Sequence, residues 1–370
     1  MKAVFYDYRT DNWIFLSSPL MCFYVYKTTE IEEILREVED YVQKGYFAAG
    51  YVAYEAAKAF DSAMHCHNSY TEMPLAAFCI FSEIHRENLA KPEAGTGVFD
   101  VIYDIGRSQY LDAFKRIKDY IQQGDTYQIN YTMRLSGKVL GSPYGLFCRI
   151  VSDMGRAVPP YCAFFDMKEM AVLSFSPELF FEKHGEVLVC KPMKGTQERS
   201  YDTKTDIGFA KKLYLSQKDR AENIMITDMI RNDMGRIADK GTVTVPALFS
   251  IQALPYAYQM ISTVKCRTSA SFYEILKAMF PCASITGAPK IRSMQIIAEL
   301  ENSPRGIYTG SMCLLTPDYI QCNVAIRTMS IIDNQFLYGT GGGIVWDSDP
   351  ASEYGEALLK ASFLEQYRLD

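Results

Sequence analysis

The sequence lacks any apolar run of the roughly 18–20 residues that a membrane-spanning helix needs, so a helical membrane protein is not expected. Acidic and aromatic side chains break up the first twenty residues where a secretory signal needs an apolar stretch, so export is not expected either. There is no basic cluster. The 38 Lys and Arg are scattered among 44 Asp and Glu for a formal charge of −6, and a polynucleotide would find no positive footprint to grip. The ten cysteines include no Cys-x-x-Cys pair; most sit in apolar runs such as 76–80 and 312–315, which reads as reduced core thiols in a cytoplasmic protein. Repeats and low-complexity segments are absent. His65, Cys66 and His67 form the one dense group of soft ligands. Neighbours on an irregular segment seldom converge on one metal, so a surface loop is the expectation there.

What is present is ample material for a core: 370 residues, 48% hydrophobic and 22% charged, the proportions of a folded globular chain. Ile31, Ile34, Leu35, Val38 and Val42 recur at helical spacing within 29–44, ended by Gly45. Leu111, Phe114, Ile117 and Ile121 repeat the pattern, with Ser108 as the expected N-cap and Gly124 as the stop. Between them 91–97 (Lys-Pro-Glu-Ala-Gly-Thr-Gly) resembles a linker, which sets off residues 1–95 as a smaller N-terminal portion ahead of 96–370. Strands are predicted at 158–165, 170–175, 179–182, 187–189, 319–332 and 335–338, the last two joined by an Asp333-Asn334 turn. Helices are predicted at 219–237, 271–279, 288–300 with Pro289 in the first turn, and 352–366. Consecutive strands with helices segregated between them indicate an α+β layered fold.

Several segments could carry chemistry. Gly339-Thr340-Gly341-Gly342-Gly343 would let backbone approach an anion closely, or form a tight hairpin; it is neither a Walker A loop nor a dinucleotide fingerprint. Ser284-Ile285-Thr286-Gly287-Ala288-Pro289-Lys290 leads into a helix whose first amides favour a carboxylate or phosphate, though a plain helix entry explains it equally well. Glu353 and Glu356 share a helix face, and Glu222 lies on another helix near Asp228 and Asp233. Two or three such carboxylates suit Mg²⁺, which keeps several waters. Ordinary i,i+4 pairs such as Lys218 with Glu222, or Glu356 with Lys360, account for the same residues. Lys194, between Met193 and Gly195, is a candidate nucleophile or base if desolvated.

Taken in order, these segments resemble the chorismate-utilising enzymes, the family of anthranilate synthase component I, aminodeoxychorismate synthase component I and isochorismate synthase. The resemblance covers roughly 100–368. It rests on Gly124-Asp125-Thr126-Tyr127-Gln128-Ile129-Asn130, Ser176-Pro177-Glu178-Leu179, Lys194-Gly195-Thr196, Ala221-Glu222-Asn223, Arg231-Asn232-Asp233, the 284–290 segment, Tyr308-Thr309-Gly310, Ala325-Ile326-Arg327-Thr328, Gly341-Gly342-Gly343-Ile344 and Ser352-Glu353 through Lys360. Each motif alone is weak, and their collinearity is specific. Gly50-Tyr51-Val52-Ala53-Tyr54-Glu55 looks like the N-terminal part of the aminodeoxychorismate synthases in particular.

The resemblance implies two stacked antiparallel sheets flanked by helices, with residues 1–95 joining the same sheet core and 96–370 forming the chorismate-binding catalytic region. It implies Mg²⁺ on Glu222 and Glu353, with Glu356 assisting through water. Arg327, Lys360, Tyr308 and the amide of Gly343 would hold the enolpyruvyl carboxylate, Ser284, Thr286 and Ala288 would line the ring, and Glu178 would protonate the departing C4 hydroxyl. Isochorismate and salicylate synthases carry a lysine base where Gln128 stands, and glutamine cannot deprotonate water. Anthranilate synthases have a small residue at the Lys194 position. An amine there matches the aminodeoxychorismate synthases, in which it attacks C2 before ammonia attacks C4. The implied activity is therefore transfer of ammonia to chorismate, giving 4-amino-4-deoxychorismate for 4-aminobenzoate and folate synthesis. The ammonia is expected from a separate glutamine amidotransferase subunit. Anthranilate synthase chemistry and catalytically silent chorismate binding are the alternatives. One departure is Gln259, where many members have a histidine; glutamine donates a hydrogen bond but does not titrate. No tryptophan-feedback signature is evident in the N-terminal portion.

Overall fold

The computed structural model describes residues 1–200, 202–254 and 257–369. Two ten-stranded sheets, antiparallel throughout their ladders, lie face to face. The layer between them is built from alternate residues of both: Ala3, Phe5, Ile14, Leu16, Phe165 and Val172 from one, Ala49, Tyr51, Phe81, Met312 and Leu314 from the other. The intervening residues of the same strands face outward and are covered in turn. Helices Ile31–Gln43 and Phe272–Met279 pack on the second sheet. Helices Pro143–Met154 and Pro350–Glu365 pack on the first, with Arg107–Gln122 and Lys290–Leu300 completing that face. Strands of residues 1–95 enter both sheets: Lys2–Asp7, Asn12–Ser17 and His85–Glu87 in one, Met21–Val25, Phe47–Val52 and Ala76–Phe81 in the other.

Helices read from periodicity are present with small shifts at their ends. Gly106 caps Arg107–Gln122, with Gln109 reaching back to its amide, so Ser108 lies inside the helix and is not its cap. Pro289 is the cap of Lys290–Leu300, and Ala288 belongs to a two-residue strand before it. The largest departures are at strands. The 319–332 run divides into Tyr319–Asn323 in one sheet and Thr328–Ile332 in the other. The chain crosses between sheets at Val324 to Arg327, and Arg327 takes a left-handed φ of 51°, costly for a residue with a Cβ. Met170–Ser176 and Leu179–His184 are divided the same way, which puts Glu178 at a second crossing beside the first: Val324 N–H donates to Glu178 O at 3.0 Å. The glycine run is no hairpin. It forms the interior of the long strand Gln335–Val345, paired along its length with Gln128–Leu140.

The cysteines need a correction. Cys22 and Cys79, directly opposed across Met21–Val25 and Ala76–Phe81, form a disulfide, so the thiols are not uniformly reduced. A separation of 57 residues gives no sequence signal for a partnership that strand register creates. The other eight are free, and seven of them are buried.

Candidate active site

The site gathers where both chain crossings, the glycine strand and the first turns of two helices meet. Successive strand residues face opposite sides, and two adjacent glycines leave both sides open. A Cβ on Gly343 would stand 3.1 Å from Gln128 Nε2 and 3.5 Å from Lys194 Nζ. A Cβ on Gly342 would stand 3.3 Å from Glu353 Oε2 and 3.8 Å from Lys360 Nζ. Charged groups thus reach bare backbone from either side. Lys194 lies on Met193–Glu198 beside Gly195, whose φ of +90° suits glycine.

Glu178 is 5% exposed, and its Oε1 has no hydrogen-bond partner among the described residues. Burial pushes its pKa above the usual glutamate value, while the Ser284 hydroxyl and the charges of Lys194 and Lys360 pull the other way. Glu178 is therefore a carboxyl biased toward its protonated form, with one oxygen available. Gln128 is fully buried, and neither amide atom has a partner among the described residues, nor does Gln259 Oε1. An unmade buried hydrogen bond costs about 1–3 kcal/mol, a penalty that a polar ligand in the site would relieve.

Glu222, on helix Gln217–Gly235, has its pKa raised by burial and, more weakly, by Asp219 and Glu353; Lys194 and Lys218 oppose the rise. Glu353, in the first turn of Pro350–Glu365, accepts from Ser348 Oγ at 2.7 Å. Glu356 pairs with Lys360 at 2.8 Å; burial would raise its pKa, but the charge and hydrogen bond of Lys360 outweigh that and lower it. Lys360 also donates to Gly341 O at 2.9 Å. Among the described residues no three His, Cys, Asp or Glu side chains converge as a ready-made metal cage, at 65–67 or here. Two neighbouring carboxylates, one disfavoured as an anion by burial, do fit a cation that keeps most of its water shell.

The remaining candidates stand on the segments around these groups. Ser284 lies against Glu178. Thr286 turns its hydroxyl to the carbonyls of Cys282 and Ala283, at 3.2 and 3.3 Å, and its own carbonyl accepts from Asn130 N–H at 2.8 Å. Ala288 pairs with Gln128. Tyr308 packs its ring over Gly339, where any side chain would collide with it, and burial raises its phenol to about 12. Arg327 acts by charge on Tyr338, whose hydroxyl donates to Lys360 O at 3.4 Å. Sequence reasoning missed Ser348, which orients Glu353; its place five residues upstream in a polar turn offered no signal.

The family model for chorismate binding enzymes matches residues 19–366. Aminodeoxychorismate synthase component 1 of Klebsiella aerogenes is 39% identical over 262 residues, 70% of this chain and 57% of that protein. The Escherichia coli strain K12 protein of the same name is 38% identical over 259 residues, 69% and 56%. The chain thus spans somewhat over half the length of these curated relatives. Anthranilate synthase component I from Streptococcus pneumoniae TIGR4 superposes with a TM-score of 0.82 at 22% identity, over 94% of this chain and 91% of that one, a likeness of fold. No helix among the described residues is long and apolar enough to cross a membrane. With most of its length matched by the family model and the motifs gathered around one glycine-lined strand, the chain belongs to the chorismate-binding enzyme family.

Proposed function

We propose that this chain is the chorismate-using component of an aminodeoxychorismate synthase, aminating C4 of chorismate through a lysine-bound intermediate. The observation that carries the reading is an amine, Lys194, beside Gln128 and Gly343 and close to a buried Glu178 that is biased toward its acid form. Neutral Lys194 attacks C2, the ring double bond shifts, and the C4–O bond breaks; the hydroxyl leaves as water with the proton of Glu178. Ammonia then attacks C4, the double bond shifts back, and the C2–N bond to Lys194 breaks. The lysine leaves as the neutral amine, the extra proton on the new C4 ammonium returns to the Glu178 carboxylate, and the net reaction is chorismate plus ammonia to 4-amino-4-deoxychorismate plus water. Gln128 has no base to offer, which disfavours water as nucleophile at C2. Arg327, Lys360, Tyr308 and the Gly343 amide orient the enolpyruvyl carboxylate, and Ser284, Thr286 and Ala288 bound the ring.

Glu222 and Glu353, with Glu356 through water, would hold Mg²⁺, which would supply positive charge for the ring carboxylate. Ammonia would come from a glutamine amidotransferase subunit, as the name component 1 of the relatives suggests, and the complex would work in the cytoplasm. The test is turnover of chorismate with Mg²⁺ and ammonium, with and without aminodeoxychorismate lyase. 4-Aminobenzoate appearing only with the lyase supports the reading. Fluorescent anthranilate without it selects anthranilate synthase chemistry, and binding without turnover selects a silent chorismate binder.

A further inference from the structure

Next to the site lie three charged side chains, Arg134, Glu301 and Arg305, each 4% exposed. Glu301 Oε1 accepts from Arg305 Nη2 at 2.7 Å and from the amide and hydroxyl of Thr132 at 3.0 and 2.8 Å; Oε2 accepts from Arg305 Nε at 3.0 Å and Arg134 Nη2 at 2.8 Å. Buried ion pairs of this kind gain little stability over apolar packing, so the informative question is what their spare donors hold. Those of Arg305 leave the cluster. Nη1 donates to Ile285 O at 2.9 Å and Nη2 to Asn130 O at 2.7 Å. Ile285 stands between Ser284 and Thr286, and Asn130 faces Gly343 in the strand ladder. Outside the cluster Arg134 donates to the carbonyls of Ser303 and Pro304 at 2.9 and 3.1 Å and, on its own strand, to Thr132 O and Oγ1 at 3.4 and 3.2 Å, and to neither Ile285 O nor Asn130 O. Glu55 anchors the arrangement from the N-terminal portion: its oxygens accept from Arg305 N–H at 2.7 Å and Gly306 N–H at 3.0 Å. The Tyr54 ring lies 4.6 Å from the guanidinium.

We propose that Arg305 is a positioning residue whose guanidinium, oriented by Glu301 and seated by Glu55, fixes the carbonyls of Ile285 and Asn130 and thereby the spacing of the two segments that flank the substrate. The substrate part rests on the function proposed above; the spacing itself does not. Arg305→Lys keeps the charge but cannot fork to both carbonyls while also gripping Glu301. A displacement of ~1 Å at reacting groups costs about a hundredfold in rate, so kcat for chorismate and ammonium falls by about that factor, with a much smaller rise in KM. Arg134→Lys is the control, since it damages the same ion cluster without touching either carbonyl. It lowers Tm at least as much, yet leaves kcat within about threefold, well short of that hundredfold.

Backbone amide exchange, followed by mass spectrometry on peptides covering 128–131 and 284–288, reads the spacing directly. Both segments exchange faster in Arg305→Lys and as in the wild type in Arg134→Lys. This readout needs no reaction: a wild-type protein inert toward chorismate sinks the functional reading, and exchange still decides the role of Arg305. Wild-type exchange at both segments in Arg305→Lys would overturn the proposal, as would an equal loss of kcat in Arg134→Lys. Should Arg305→Lys fail to fold, Glu55→Gln replaces it: this variant loosens the seat but leaves the guanidinium, and unchanged exchange at 284–288 there also counts against the proposal.

Discussion

Glu178 and Lys194 divide the proposed chemistry between an acid and a nucleophile, and each makes a separate prediction. Burial favours the neutral form of Glu178, so folding is linked to its protonation. That contribution to stability is whole below the unfolded glutamate pKa and is lost as pH rises through the folded value. Glu178→Gln, isosteric and always neutral, should therefore match or exceed the wild-type Tm at pH 7 while kcat falls about 10²–10⁴-fold, the usual scale of a lost general acid. A destabilised but active Glu178→Gln protein would show the residue to be structural. For Lys194 the measurement is intact-protein mass: ammonia-starved enzyme given chorismate should gain the mass of chorismate minus water on the peptide containing Lys194. Lys194→Ala should abolish the adduct and turn any remaining amination toward C2, because the space facing Gly343 is then open. Absence of the adduct on active enzyme, together with unchanged product from Lys194→Ala, would favour direct attack by ammonia.

Among the elements, the glycine strand makes the sharpest distinction between folding and binding. A Cβ on Gly341 would collide with the Tyr131 carbonyl of the neighbouring strand, whereas one on Gly343 would meet the flexible ends of Gln128 and Lys194. Gly341→Ala should therefore lose about 1–3 kcal/mol in urea denaturation, the cost of overpacking. Gly343→Ala should denature like the wild type and lose affinity for chorismate; normal binding by Gly343→Ala would remove that strand face from the site. The same strand shows where sequence reading runs out. Amphipathic helices such as Ile31–Gln43 were legible because one face is apolar at a fixed period, and the collinear motifs supplied the candidates for the site. The strands carry little alternation, since both sheets are covered on both faces. A glycine run inside a strand is locally indistinguishable from one in a turn. The crossings at Glu178 and Arg327 are long-range events, set by which sheet each flanking strand joins, and no short window of residues records that choice.

For the molecule as a whole, the first 95 residues are tied into both sheets and, through Glu55, into the wall of the site, so their removal would open the core itself. Two buried carboxylates at that junction respond oppositely to pH. Glu301 is lowered to about 2, burial being outweighed by Arg305 and Arg134; its contribution is present above the unfolded value and is lost as pH falls through about 2. Glu55 is raised to about 7 by burial, against the hydrogen bonds from Arg305 and Gly306 and the charge of Arg134. Its contribution is whole below the unfolded value and is lost as pH rises through about 7. Each proton held by the folded state alone tilts stability by about 1.4 kcal/mol per pH unit. Between pH 5 and 7 Glu301 is ionised in both states and contributes no slope, whereas Glu55 does. Urea denaturation of wild type and Glu55→Gln should therefore show a stability gap that shifts in favour of the variant across those two units, because the amide carries no ionisation to suppress. A gap that stays constant with pH would mean that Glu55 ionises in the folded protein much as it does in water, and that its two backbone donors and nearby arginines offset its burial completely.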